Sequence, residues 1–225
     1  MVTNTYRLHF FTRILGLAPN NENIYRDFIA SKAPDAQSAE EEIASVGLLE
    51  YGDKLITTFP RGLDGEAIFY DYQIKGFFKD ACGMLAKVAG KDENGKKIPA
   101  NESSKLKAYK KYIDGLIFPK PRMIPIQFDG EITECQRPLR ASTPQGERNA
   151  LAISEQINAP ATMEFSVTFL RDDLVAAVEE WFDYGYFRGI SQWRNAGNGR
   201  FVWEKLDENG KQIGGNYDPK NPVMA

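Results

Sequence analysis

A change of hydrophobic period between residues 162 and 184 does most to limit what this chain can become. Met163 to Leu170 reads MEFSVTFL, with Phe165, Val167 and Phe169 alternating against Glu164, Ser166 and Thr168. A period of two is a half-buried strand. Almost at once, over residues 172–184, Leu174, Ala177, Val178, Trp181 and Phe182 recur at helical spacing. Asp172 and Asp173 fill the first turn, where the helix dipole favours acids. A strand followed by such a helix belongs to a layered fold in which helices cover a sheet.

The rest of the chain fits that frame. Residues 5–14 alternate Tyr6, Leu8 and Phe10 against Arg7, His9 and Phe11, a first half-buried strand. Leu17 to Asn21 reads as a turn, and residues 21–33 as a helix with Asn21 as N-cap and Ile24, Phe28 and Ile29 as its stripe. Residues 35–53 carry six acids and no base, a solvated helix face with Ile43, Val46, Leu48 and Leu49 tucked in. Residues 54–72 read as a hairpin turned by PRGLDG. A helix follows over 73–89, with Ile74, Phe77, Phe78, Ala81, Cys82, Leu85 and Val88 toward the core and Lys75 and Lys79 on one exposed face. DENGK occurs at Asp92 to Lys96 and again at Asp207 to Lys211, two independent tight turns. A short helix is expected at 105–113, strands at 122–136 and 151–157, and a polar loop at 137–150. A last strand, Phe201 to Leu206, turns at Asn209-Gly210. This order predicts an α+β fold: a ferredoxin-like core with long insertions and a mostly antiparallel sheet. One domain spans residues 1–213, with a basic insertion at about 87–122, and a frayed, flexible tail follows at 214–225.

Composition removes several function classes. No apolar run approaches the ~20 residues of a membrane span, and the first residues lack the apolar block of a signal peptide. Cys82 and Cys135 read as buried thiols, which places the protein in a reducing, cytoplasmic compartment. His9 is the one histidine, so a Ser-His-Asp or Cys-His arrangement would have to run through a residue inside a strand. The consecutive Glu40, Glu41 and Glu42 point in different directions around a helix and do not make a metal site. The sequence calls for no cofactor and no metal.

Charge is more informative. The formal net charge of −3 excludes a uniformly basic coat. It hides a split, because residues 87–122 hold ten bases against four acids while 35–53 and 155–184 are each strongly acidic. That split suits either a polyanion groove or head-to-tail contact between copies, and a Lys-rich insertion serving solubility gives the same letters. Arg137, Arg140 and Arg148 lie in the expected loop, where guanidinium forks can take phosphate oxygens. Arg188, Arg194 and Arg200 interleave with Phe187 and Trp193, and aromatics beside arginines can stack on unpaired bases. Gly185, Gly189, Gly197 and Gly199 allow close backbone approach, as does any loop closing a sheet edge.

Four segments in this order resemble the RAMP superfamily (repeat-associated mysterious proteins), in particular the backbone subunits of CRISPR effector complexes. They are the opening strand with its glycine turn, Phe10 to Gly16, and the extended-to-helical junction Tyr72-Gln-Ile-Lys-Gly-Phe-Phe-Lys79. The third runs from Cys135-Gln-Arg-Pro-Leu-Arg140 through Ile153-Ser-Glu-Gln-Ile157 and Pro160 to Met163–Leu170. The fourth is Tyr186-Phe-Arg-Gly-Ile190 followed by Asn198-Gly-Arg-Phe-Val-Trp203, similar to the family's glycine-rich signature. The resemblance implies a modified RNA-recognition-motif core that holds RNA with basic loops and a thumb hairpin. It implies phosphate contacts from Lys75, Lys79, Arg137, Arg140, Arg188, Arg194 and Arg200, with Phe187 and Trp193 as stackers. The expected partners are single-stranded RNA or DNA, copies of the chain itself or other effector subunits, and no membrane. The family's RNA-cleaving branch uses an Asp after the first strand, for which only Asp27 and Asp35 are near, so a non-enzymatic role is expected over a ribonuclease. The alternative is a phage or mobile-element protein that engages or mimics a host complex, for example as an anti-defence protein.

Overall fold

The computed structural model describes residues 1–19, 56–91, 93–94, 96–143 and 146–220. The helix expected at 21–33 and the acidic stretch at 35–53, with Asp27, Asp35 and Glu40 to Glu42, lie outside the described residues. Along the chain come β1 (Val2–Phe10), β2 (Ile14–Leu15), β3 (Ala18–Pro19), β4 (Ile56–Thr58), β5 (Ile68–Tyr70), α1 (Asp71–Leu85), β6 (Ala89–Lys91) and β7 (Lys97–Pro99). Then follow α2 (Glu102–Lys105), α3 (Tyr109–Leu116), β8 (Ile117–Lys120), β9 (Met123–Phe128), β10 (Thr133–Thr143), β11 (Gly146–Ile157), β12 (Ala161–Phe169), α4 (Leu174–Arg188), β13 (Phe201–Leu206) and β14 (Gln212–Gly215). The protein is a mixed α/β fold with a mostly antiparallel sheet.

The main sheet has the order β14-β13-β1-β12-β9-β5, with β8 also paired to β12. Its register follows the period-two pattern of β1. Tyr6 lies opposite Phe165, Leu8 opposite Met163 and Trp203, and Phe10 opposite Ala161 and Phe201. All of these are buried, which gives the sheet one apolar face. α1 and α4 cover it with the stripes their spacing predicts, Ile74, Phe77, Phe78, Ala81 and Cys82 from one and Leu174, Ala177, Val178, Trp181 and Phe182 from the other. Phe182 is the hub, its ring centroid 5.0 Å from Tyr6, 5.5 Å from Phe78 and 5.5 Å from Trp203. Burial pushes the Cys82 thiol up to about 11, so it is an inert core group. Cys135 is also a buried free thiol.

The opposite face is polar and self-satisfied. Thr3 pairs with Thr168 and Thr5 with Ser166 through their hydroxyls, each at 3.0 Å. Arg7 bridges Glu164 at 2.7 Å and the buried Glu204 at 2.9 Å. Glu204 also meets His9 at 2.9 Å, and Tyr217 lies flat on the imidazole with ring centroids 3.7 Å apart.

Several expectations change. The arms of the hairpin expected at 54–72 separate: β4 runs parallel to β11, β5 pairs with β9, and among the described residues a single bridge, Arg61–Ala67, joins them. The expected turn at Leu17 contains β3, paired with β4. α1 ends at Leu85, so Val88 leaves the helical period and stands 55% exposed instead of facing the core. The short helix begins at Tyr109 and reaches Leu116, with α2 before it. α4 continues to Arg188. The polar loop expected at 137–150 is a hairpin: β10 and β11 pair from Thr133–Gln156 to Thr143–Gly146. β10 is a sheet edge, where Pro138 removes no needed donor. Fraying after Gly214 does not extend to Asn216 and Tyr217, whose amides bond the Trp203 carbonyl at 3.0 Å.

The acidic segment 155–184 is not a free acidic face. Glu155 holds Arg61 at 2.5 Å and the Phe59 amide at 2.7 Å. Glu179 takes Lys205, and Asp183 takes the Trp203 indole. Glu180 accepts from the amides of Glu102 and Ser103, so a carboxylate from α4 caps α2 and fastens the basic insertion to the body.

Candidate nucleic-acid interface

Two distant stretches, residues 11–17 and 189–200, build the central loop pair. The Phe11 amide bonds the Arg200 carbonyl at 3.2 Å, and the Gly199 amide bonds the Arg13 carbonyl at 2.8 Å. The Arg200 amide donates to Thr12 Oγ1 at 2.8 Å, and the Ser191 hydroxyl donates to the Leu15 carbonyl. Gly199 is obligatory here: its φ is +69°, and a Cβ would lie 1.9 Å from the Ile190 carbonyl oxygen. Ser191 (φ +77°) and Trp193 (φ +52°) share the loop in the left-handed region, a cost of ~1–2 kcal/mol for each non-glycine residue. The packing of the loop pair holds this strain in place.

On one side of the loop lies a cleft of about 590 Å³. α1 contributes Tyr72, Lys75 and Lys79, α3 contributes Asp114, and the loop contributes Ser191 and Arg194. Lys79 pairs with Asp114 at 2.6 Å, and Lys75 donates to the Asp114 carbonyl at 3.2 Å while lying 4.7 Å over the Phe118 ring. Neither is the free solvent-facing lysine expected from the helix spacing, because α3 packs beside them. Burial pulls the Lys75 ammonium below the ordinary lysine range, with Asp71 and Asp114 opposing and Lys79 adding to the shift. Behind the cleft, Asp80 Oδ2 accepts from Arg194 at 2.8 Å and Arg188 at 3.0 Å. Five cations (Lys75, Lys79, Arg122, Arg188 and Arg194) thus meet three carboxylates (Asp71, Asp80 and Asp114), which leaves net positive charge.

The hairpin also reaches this loop. The Arg137 guanidinium lies over the Trp193 ring at 5.2 Å, so two of the sequence-derived residues meet. Arg140 is opposite Asn149 and Arg148 opposite Ala141 in the ladder, three and four rungs nearer the turn than Arg137. Arg200 packs beside Gly197, and its Nε is buried without a partner among the described residues. Phe187 stands apart, 68% exposed and edge-on to Tyr186 at 5.1 Å. Arg13 and Asn198 were not singled out by the sequence. Arg13 Nε donates to Asn198 Oδ1 at 2.8 Å and its Nη1 to Gln156 Oε1 at 3.2 Å. The buried Asn198 donates in turn to the Trp193 carbonyl at 3.1 Å. The only trace of Arg13 in the sequence is a base just before the turn that ends at Gly16.

Among the described residues no three His, Cys, Asp or Glu gather as a metal site. No helix of the described residues is long and apolar enough to cross a membrane. No family model matches the chain, and no curated protein matches it.

Proposed function

We propose that the protein binds single-stranded nucleic acid, RNA above all, on a ferredoxin-like core of RAMP type, without catalysing a reaction on it and without a cofactor. The order β13-β1-β12-β8, with α1 between β1 and β8 in sequence and α4 between β12 and β13, supports the core. The observation that carries the function is the cleft, where Lys75, Lys79 and Arg194 converge from two elements beside Tyr72. Cations placed this way neutralise consecutive phosphates, and the hairpin that carries Arg137, Arg140 and Arg148 adds further guanidinium groups. Nothing in such a path reads base identity, so binding is sequence-tolerant and the strand can accept further copies of the chain or other effector subunits beside it. Two buried free thiols suit a reducing cytoplasm.

The test is a filter-binding titration of a labelled 20-nucleotide oligouridylate at rising salt. Affinity is expected to fall steeply with salt, by a slope of about 0.7 for each phosphate engaged. Lys75→Glu with Lys79→Glu is expected to abolish binding in a protein that still melts cooperatively. Salt-independent binding, or none, sinks the reading.

A second reading, a phage or mobile-element protein that engages a host complex, is favoured by Val88 and Phe187, apolar groups standing 55% and 68% exposed. It predicts a host protein that stays bound after nuclease treatment.

A further inference from the structure

Arg13, Asn198, Gln156 and Trp193 form a small built arrangement outside the cleft. The Arg13 guanidinium is held by two amide oxygens and by no carboxylate among the described residues. Its position is fixed while its charge is left intact. This differs from Arg188 and Arg194, whose charge is shared with Asp80. Asn198 is 3% exposed and uses both ends of its side chain, accepting from Arg13 and donating to the Trp193 carbonyl. One buried amide therefore links a cation to the backbone of a tryptophan. The indole is the one tryptophan of three outside the core, since Trp181 and Trp203 are 0% and 4% exposed. A planar cation, Arg137, already lies over it at 5.2 Å.

We infer that this arrangement is a nucleotide subsite, with an unpaired base stacking on Trp193 and the adjoining phosphate on Arg13. It rests on the nucleic-acid reading and adds a position to it. The base takes the place of the Arg137 guanidinium, since both are flat and fit one indole face. The displaced guanidinium, still tethered to the root of the hairpin, turns to the same phosphate. Asn198 is the positioning residue. It touches neither base nor phosphate, and it ties the guanidinium to the backbone that carries the indole.

Tryptophan emission is the direct readout, because the other two indoles are buried. Titration with an eight-nucleotide oligouridylate is expected to quench the emission, and tripolyphosphate at matched charge is not. Trp193→Phe is expected to remove the quench. Arg13→Gln, a mild change at an exposed side chain, is expected to weaken binding about tenfold and lower the salt slope by about 0.7, one phosphate contact. Asn198→Asp keeps the acceptor for Arg13 but adds an opposing charge and loses the donor to Trp193. It is expected to weaken both quench and affinity, with the melting temperature recorded alongside. Wild-type affinity, slope and quench in Arg13→Gln overturn the subsite. A quench that persists in Trp193→Phe overturns it too. If the lysine reversals in the cleft abolish binding while Arg13→Gln and Trp193→Phe leave it unchanged, the subsite fails and the nucleic-acid reading stands. If the wild type binds no oligonucleotide, both fail.

Discussion

Asp80 lies 2.8 Å from Arg194, and its same oxygen accepts from Arg188. One half-buried carboxylate restrains Arg194, which lines the cleft, and Arg188 behind it. Asp80→Asn keeps the shape and removes the restraint. Tighter binding of single-stranded RNA is expected, with a steeper salt dependence, alongside a loss of stability of about 1–2 kcal/mol from two weakened charged hydrogen bonds. Salt-series titration and thermal melts read the two effects separately. Unchanged affinity would mean that neither guanidinium meets the ligand.

Gly185 faces the Phe201 ring so closely that an added Cβ would lie 2.2 Å from Cζ. The absence of a side chain lets α4 settle onto β13. Gly185→Ala, ordinarily a favourable change in a helix, is expected here to destabilise by about 1–3 kcal/mol through overpacking. The melting temperature of a chain this size then drops by roughly 2–4 °C per kcal/mol. A stabilised Gly185→Ala variant would contradict the packing.

His9 sits between Glu204 and the Tyr217 ring, and burial holds its pKa below the usual 6.5, with Glu204 pulling the other way. The unfolded imidazole therefore takes up a proton from about pH 6.5 downward, while the folded one refuses it until lower pH. In that window the unfolded state binds more protons, so stability falls as pH falls. Denaturant titrations at pH 7.5 and 5.5 are expected to show this loss, and His9→Gln is expected to flatten the part due to the imidazole. An undiminished slope in the variant would remove His9 as its source.

Glu180 caps α2 from another helix, accepting from Glu102 and Ser103 at 2.7 and 3.1 Å. Glu180→Ala is expected to leave two amides unsatisfied, at about 1–3 kcal/mol. Hydrogen exchange at Glu102 and Ser103 is expected to speed up far more than in β1. Equal protection with and without the carboxylate would show that it does not hold the insertion.

Elements with strong local period were legible in the sequence. β1, β12, α1, α4 and β13 appear where alternation or helical spacing puts them, and the buried sets match, Val88 excepted. What stayed hidden depends on partners far along the chain. β4 and β5 read as one hairpin because both are β-rich around a good turn, yet β11 and β9 compete for them. The hairpin of β10 and β11 read as a loop because Arg, Pro and Gln mask a ladder whose outer edge is open to such residues. In the candidate interface, Lys75, Lys79 and Arg194 do converge, and Arg137 meets Trp193. Arg13 could not be found from spacing, because its meaning comes from Asn198, 185 positions away.

The loop pair at residues 11–17 and 189–200 has a consequence for the newborn chain. β1 leaves the ribosome before the residues that complete its neighbouring loop, which arrive only with the segment leading into β13. A ribosome adds about 5–20 residues per second, so many seconds pass in which Lys75 and Lys79 exist without Arg194 or Asn198 beside them. During that interval the Lys75 and Lys79 ammonium groups stand without the loop that completes the cleft. The cleft takes its final shape only when β13 joins β1 and closes this part of the sheet.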